Sequence, residues 1–139
     1  MIPKALALEI VTPDKPVVHE DVDEVQLPGC EGAFGVLPGH TPLLAMLQVG
    51  ELWYRKGTEK VYILIAFGFV EVLPDRVTIL AQVAEKADEI DIARAEAAKR
   101  RAEDRVSKQV PEMDYERARI ALLKSLVRLQ VATRARTRV

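Results

Sequence analysis

The chain is poor in the residues that usually announce chemistry. Of its 139 residues one is a cysteine, Cys30, which excludes an internal disulfide and a multi-cysteine metal centre. Its glycine-flanked place beside Pro28 predicts a passive thiol in a surface turn. The two histidines, His19 and His40, stand without a sequence-defined nucleophile, an oxyanion glycine pattern or a metal partner, which argues against independent catalysis. Aromatic residues make up 5% of the chain, so its arginines have no stacking platform beside them and nucleic-acid binding is disfavoured. No uninterrupted apolar run approaches the roughly 18 residues of a spanning helix. The first six residues carry one lysine but no apolar signal core or small-residue cleavage site, so cytoplasmic residence is expected.

What is present is a globular composition, 49% hydrophobic and 29% charged, enough for one ordinary domain or a compact domain with a small appendage. Charge is divided unevenly. Through Ala84 there are 6 basic and 11 acidic residues, and from Glu85 onward 14 basic and 10 acidic. The second region therefore presents either a solvated basic face or a surface for an acidic partner.

The densest signal is Gly32 to Leu47, where three glycines and two prolines alternate with Phe34, Val36, Leu37, Leu43, Leu44 and Leu47. Tight turns must alternate there with buried side chains. Pro38-Gly39 has the pattern of a type II turn, and the pre-proline restriction at Thr41 sends the chain on in extended form. This arrangement is expected to present His40 as a contact.

Elsewhere the first region reads as short strands. Leu6, Leu8 and Ile10 alternate on one face, Val17 and Val18 open a second strand, and Val22, Val25 and Leu27 carry a third. The carboxylates Glu20, Asp21, Asp23 and Glu24 lack calcium-loop spacing and are read as a solvated strand edge. Val49 to Arg55 leads into a hairpin at Lys56-Gly57-Thr58, and Lys60 to Ala66 is apolar enough for a central buried strand. Phe67, Phe69, Val70 and Val72 follow around Gly68, and Leu73-Pro74-Asp75-Arg76 turns into Val77, Ile79 and Leu80. Turns at this frequency predict an antiparallel β-sandwich or barrel over residues 1–84.

From residue 85 to 139 the period changes to that of an antiparallel helical hairpin. Asp88 is expected to cap a first helix with the stripe Ala95, Ala98, Ala102 and Val106. Pro111 interrupts the pattern, and a second helix is expected from about Asp114 with Tyr115, Ala118, Leu122, Leu126 and Leu129 toward the alanines. An alanine seam grips weakly, so the pair needs the sandwich, another protein or a ligand to settle it.

The run Gly32 to Ala45, followed by Val49-Gly50-Glu51-Leu52, resembles the signature of the epsilon subunit of F-type ATP synthases, and the likeness extends over nearly the whole chain. It implies a non-catalytic subunit of the rotary stalk, peripheral to the cytoplasmic face of the bacterial plasma membrane through its complex. The sandwich would bind the gamma subunit and the c-ring, with Glu31, His40 and Thr41 as the expected contacts. The hairpin would either fold down or extend along gamma into the alpha/beta catalytic head to block ATP hydrolysis. Ile90-Asp91-Ile92-Ala93-Arg94-Ala95 resembles the motif by which some bacterial relatives bind ATP in the folded-down state. That likeness adds Glu85, Arg101 and Arg128, and Lys124 where ATP-binding relatives place arginine. Lysine keeps the charge but loses the planar fork, which lowers the expected affinity. No cofactor is required; ATP enters as a regulatory ligand. Asp91 and Arg94 also fit an exposed i,i+3 ion pair with no ligand. Arg134, Arg136 and Arg138 read either as complements of a helix C-terminus or as an inhibitory tail that meets acidic segments of the head. A free-standing nucleotide sensor would need the same ATP site without the rotary partners.

Overall fold

The computed structural model describes residues 2–108 and 111–136. Eight strands come first: β1 Leu6–Val11, β2 Pro16–Val22, β3 Glu24–Gly29, β4 Gly32–Val36, β5 Leu43–Leu47, β6 Gly50–Lys56, β7 Glu59–Leu73 and β8 Arg76–Lys86. A single 3-10 turn, Ala87–Glu89, leads to the helices α1, Ile92–Ser107, and α2, Glu112–Arg136.

The strand order is β2-β1-β8-β7-β5-β3-β4, with β6 bridging β7 and β3, so the strands wrap into a sandwich. Leu6, Leu8 and Ile10 are all buried in its interior with Val25, Leu27, Leu52, Ile63, Ile65 and Ile79, as period-2 alternation requires. Neighbouring strands are antiparallel apart from β1 and β8, which run parallel from Ala7↔Arg76 to Val11↔Leu80. That pair lay outside the expectation of an antiparallel sandwich, because it joins the first and last strands and no local turn signal marks it. Val22 ends β2 instead of opening β3, a shift of one element at the Asp23 bend.

Strand β7 explains why Lys60 to Ala66 is apolar on both faces. Ile63 and Ile65 enter the sandwich interior, while Leu64 and Ala66 lie in a second cluster with Val131 and Ala132 of α2. Parity then switches: Val70 and Val72 are the interior residues beyond Gly68, and Phe69 faces out. The switch occurs at Phe67 and Gly68, whose φ angles are 61° and 146°. A Cβ on Gly68 would come within 2.2 Å of the Leu80 carbonyl oxygen, so glycine is the residue that fits.

Asp23 and Glu24 are not a free acidic edge. Arg55 Nε donates to Glu24 Oε1 at 2.9 Å, and the Asp23 carboxylate accepts from the Gly57 amide at 2.7 Å, closing the β6–β7 hairpin against the start of β3. The Glu24 hydrogen bond raises the Arg55 guanidinium above its ordinary value.

The first helix starts later than expected. Asp88 lies in the 3-10 turn, and the N-cap is Asp91, whose side chain accepts from the Arg94 amide at 3.0 Å; a capping carboxylate satisfies a backbone donor there that no earlier helical carbonyl can reach. Helix α2 follows Pro111 directly at Glu112. Among its described side chains the buried ones are Ala118, Ser125, Val131 and Ala132, whereas Tyr115 is 40% and Leu126 44% exposed. The helix is therefore turned so that Ser125, its hydroxyl donating to the Ala121 carbonyl at 2.9 Å, occupies the place expected for Leu126.

Candidate functional site

The 3-10 turn, the start of α1 and the middle of α2 enclose a cleft of about 410 Å³. Six residues expected at a nucleotide site line it: Glu85 from β8, Asp91 at the helix cap, Arg94, Ala95 and Arg101 from α1, and Arg128 from α2. Their placement follows from local structure. The Asp91 cap fixes the first turn of α1, positions 94, 95, 98 and 101 follow at helical spacing, and the seam brings Arg128 across. Glu89 and Ala98 complete the lining. Both were absent from the sequence expectation, although Ala98 follows Asp91, Arg94 and Ala95 at i+7, i+4 and i+3 and was legible from that spacing.

The cleft holds three carboxylates and three guanidinium groups. Arg128 Nη2 donates to Glu85 Oε1 at 3.0 Å, with side chains 22% and 34% exposed. Arg128 Nε is buried and has no hydrogen-bond partner among the described residues. A buried donor left in this way is costly unless something accepts from it. Asp91 is committed to the Arg94 amide, so the expected Asp91–Arg94 side-chain ion pair is replaced by a cap.

Two expected residues stand apart from the cleft. Ile90 is 8% exposed and packs in the apolar cluster between β7 and α2. Lys124 is turned to the sandwich, with its ammonium 5.6 Å from the centroid of the Phe67 ring; a shorter reach toward an aromatic face was unreadable without the fold. Arg134 also docks inward, its Nε donating to Glu51 Oε1 at 3.1 Å and its guanidinium lying 4.9 Å from the Tyr62 ring centroid. Arg138 and the side chain of Arg136 lie outside the described residues.

The contact residues occupy the opposite part of the sandwich. Gly39 has φ 89°, and the His40 amide donates to the Leu37 carbonyl at 3.1 Å, the geometry of the expected type II turn. His40 is half-buried, with Nδ1 2.6 Å from the Thr41 carbonyl oxygen, and Thr41 is exposed. Glu31 lies in the β3–β4 turn and lines a separate cavity of about 410 Å³ with Phe34, Leu44 and Met46; His40 and Thr41 do not line it.

A row of exposed apolar side chains was missed. Met46 pairs with Phe69 and Phe69 with Leu80, in register across β5, β7 and β8. Their exposures are 62%, 43% and 45%, and Leu44 beside them reaches 71%. Alternation gave the signal, since these residues fall out of phase with the interior set, but Leu80 was read together with Ile79. A contiguous apolar row on an open sheet face is a mark of a docking surface.

Among the described residues no group of three or more histidine, cysteine, aspartate and glutamate side chains is placed to hold a metal ion, and no helix is long and apolar enough to cross a membrane.

Residues 5–87 match the family model "ATP synthase, Delta/Epsilon chain, beta-sandwich domain", and residues 88–133 match "ATP synthase, Delta/Epsilon chain, long alpha-helix domain". The chain is 52% identical over 130 residues to ATP synthase epsilon chain 2 of Syntrophotalea carbinolica, covering 93% of this chain and 94% of that one. It is likewise 52% identical over 127 residues to the ATP synthase epsilon chain of Syntrophobacter fumaroxidans, covering 91% and 95%. Among solved structures, a chain of the Euglena gracilis mitochondrial ATP synthase, OSCP/F1/c-ring, superposes with TM-score 0.82 at 25% identity, covering 98% of this chain and 83% of that one. A chain of the Tetrahymena thermophila mitochondrial ATP synthase central stalk and c-ring shares the fold, with TM-score 0.58 at 18% identity and coverage of 97% and 100%.

Proposed function

Because the chain belongs to the family of F-type ATP synthase epsilon chains, we propose a division of labour in which the sandwich, residues 1–84, couples rotation and the hairpin, residues 85–139, regulates hydrolysis. The Met46–Phe69–Leu80 row is the surface that the gamma subunit covers, and Glu31, His40 and Thr41 face the c-ring. The folded-down hairpin leaves the catalytic head free; the extended one reaches along gamma and inhibits ATP hydrolysis through its basic end. In this reading the chain has no catalysis of its own and works on the cytoplasmic face of a bacterial membrane, held there by its partners.

The observation that carries the regulatory half is the cleft at the hairpin's root, where Arg94, Arg101 and Arg128 converge and Arg128 Nε is an unanswered buried donor. Guanidinium groups at that density suit the phosphates of ATP. Glu89, and the Glu85 oxygen that Arg128 does not engage, can accept from the ribose or the base. Because the cleft has walls on both helices and on β8, ATP binds the docked hairpin and not the extended one. A ligand at 100 times its dissociation constant favours the state it binds by about 2.7 kcal/mol, enough to set the position of a nearly balanced hairpin. Lys124 adds no direct contact, since it lies over Phe67.

Isothermal titration of the full chain with ATP tests this. Binding is expected, and Arg94→Ala should weaken it by about tenfold, the loss of one charge-assisted contact. An isotherm unchanged by the substitution removes Arg94 from the site, and absence of heat with the wild-type chain removes ATP from the account.

A further inference from the structure

Glu51 lies far along the sequence from the motif residues of the cleft and does not line it, yet both oxygens of its carboxylate are taken by α2. Oε2 accepts from Gln130 Nε2 at 3.0 Å and Oε1 from Arg134 Nε at 3.1 Å. Gln130 and Arg134 are four residues apart, one helical turn, so they converge on one acceptor. The Glu51 side chain is 12% exposed. Its position explains why. Glu51 pairs with Leu64 across β6 and β7, which puts it on the face where Leu64 meets Val131 and Ala132. Tyr62, two residues along that face, lies under the Arg134 guanidinium.

We propose that Glu51 is a latch for the docked hairpin that works without nucleotide, separate from the Glu85–Arg128 pair at the cleft. The apolar cluster beneath α2 is small, and the α1–α2 seam is built mainly from alanine and serine, so neither specifies the docked position strongly. A carboxylate shielded by the helix and bonded twice to it does. When α2 leaves, Glu51 regains water and Arg134 is released. Arg134 is therefore a shared group: docked, it holds Glu51; extended, it turns to an acidic surface of the head. An acidic partner that draws Arg134 away must first compete with Glu51. This rests on the proposed mobility of the hairpin.

Hydrogen exchange of the nucleotide-free full chain, resolved by peptide, is the test. In the wild type the segment 126–135 is expected to exchange faster than β7 and β8 but remain protected. Glu51→Ala should speed its exchange by about tenfold, the equivalent of one hydrogen-bonded charge pair, with β7 and β8 unchanged. The same fold-change is expected on an Arg94→Ala background, because the latch does not act through the cleft. Glu51→Arg should open the segment and Arg134→Glu added to it should recover most of the protection. Raising salt from about 0.05 M to about 0.5 M should accelerate the wild-type segment and leave Glu51→Ala little altered. If Glu51→Ala disturbs the sandwich, Gln130→Ala and Arg134→Ala report the same bonds from the helix. Segment exchange that is fast yet indifferent to Glu51, Gln130 and Arg134 overturns the latch alone. Exchange of the segment only with global unfolding overturns the latch and the mobile hairpin together.

Discussion

The sandwich interior and the hairpin seam are both apolar, but they are made of different material. Leu27, Leu52, Ile63, Ile65 and Ile79 are fully buried inside the sandwich, while the buried seam positions of the hairpin are Ala95, Ala102, Ala118 and Ser125. Branched side chains bury several methylenes each, worth about 0.8 kcal/mol apiece, and alanine contributes a small fraction of that. Small residues let helices approach closely without binding them tightly. The same chain thus contains a platform with a large branched interior and an attachment whose own seam buries little apolar surface.

That contrast is broken most directly in the interior. Ile65→Ala is expected to lower global stability by about 2–5 kcal/mol, read as a fall in the urea midpoint of the β-sheet signal; a loss below about 1 kcal/mol would mean the interior is no more demanding than the seam. Val131→Ala comes next. Removing its share of the cluster beneath α2 should cost about 1–2 kcal/mol at roughly 0.8 per methylene, and it should appear as faster exchange along α2 with the sandwich midpoint held. An equal shift in both would show one cooperative unit. Smallest is Asp91→Ala, which removes the α1 cap and should cost about 1 kcal/mol. Helical circular dichroism should fall while the β-sheet transition stays where it is, and an unchanged helical signal would take the cap out of the account.

Much of the sandwich was legible because its rules are local. Leu6, Leu8 and Ile10 alternate, Pro38-Gly39 carries its own turn geometry, and Gly57 at φ 64° closes the β6–β7 hairpin. The parallel β1–β8 pairing was hidden, since it depends on strands that are distant in sequence. At the cleft, the family likeness supplied Asp91, Arg94 and Ala95 as a motif and Glu85, Arg101 and Arg128 beside it, and helical spacing accounts only for why the α1 members share a face. The likeness also named Lys124, whose ammonium lies over the Phe67 ring, a position set by the rotation of α2 on the sheet. The same rotation puts Ser125 inside and Leu126 outside, against their hydrophobicity. Helical phase is decided by every contact along the helix, so one apolar stripe with two neighbouring solutions leaves it open.

The parallel pairing of β1 with β8 has a practical corollary. Ala7, the second residue of β1, pairs with Arg76, the first residue of β8, and Ile2 packs within 3.2 Å of the space a side chain at Gly39 would fill. The segment at Ile2 thus shares a corner with the His40 turn, while the root of the hairpin emerges from the other end of the eleven-residue β8. A bulky group attached near Ile2 would crowd the corner proposed to meet the c-ring and leave the root of the hairpin untouched.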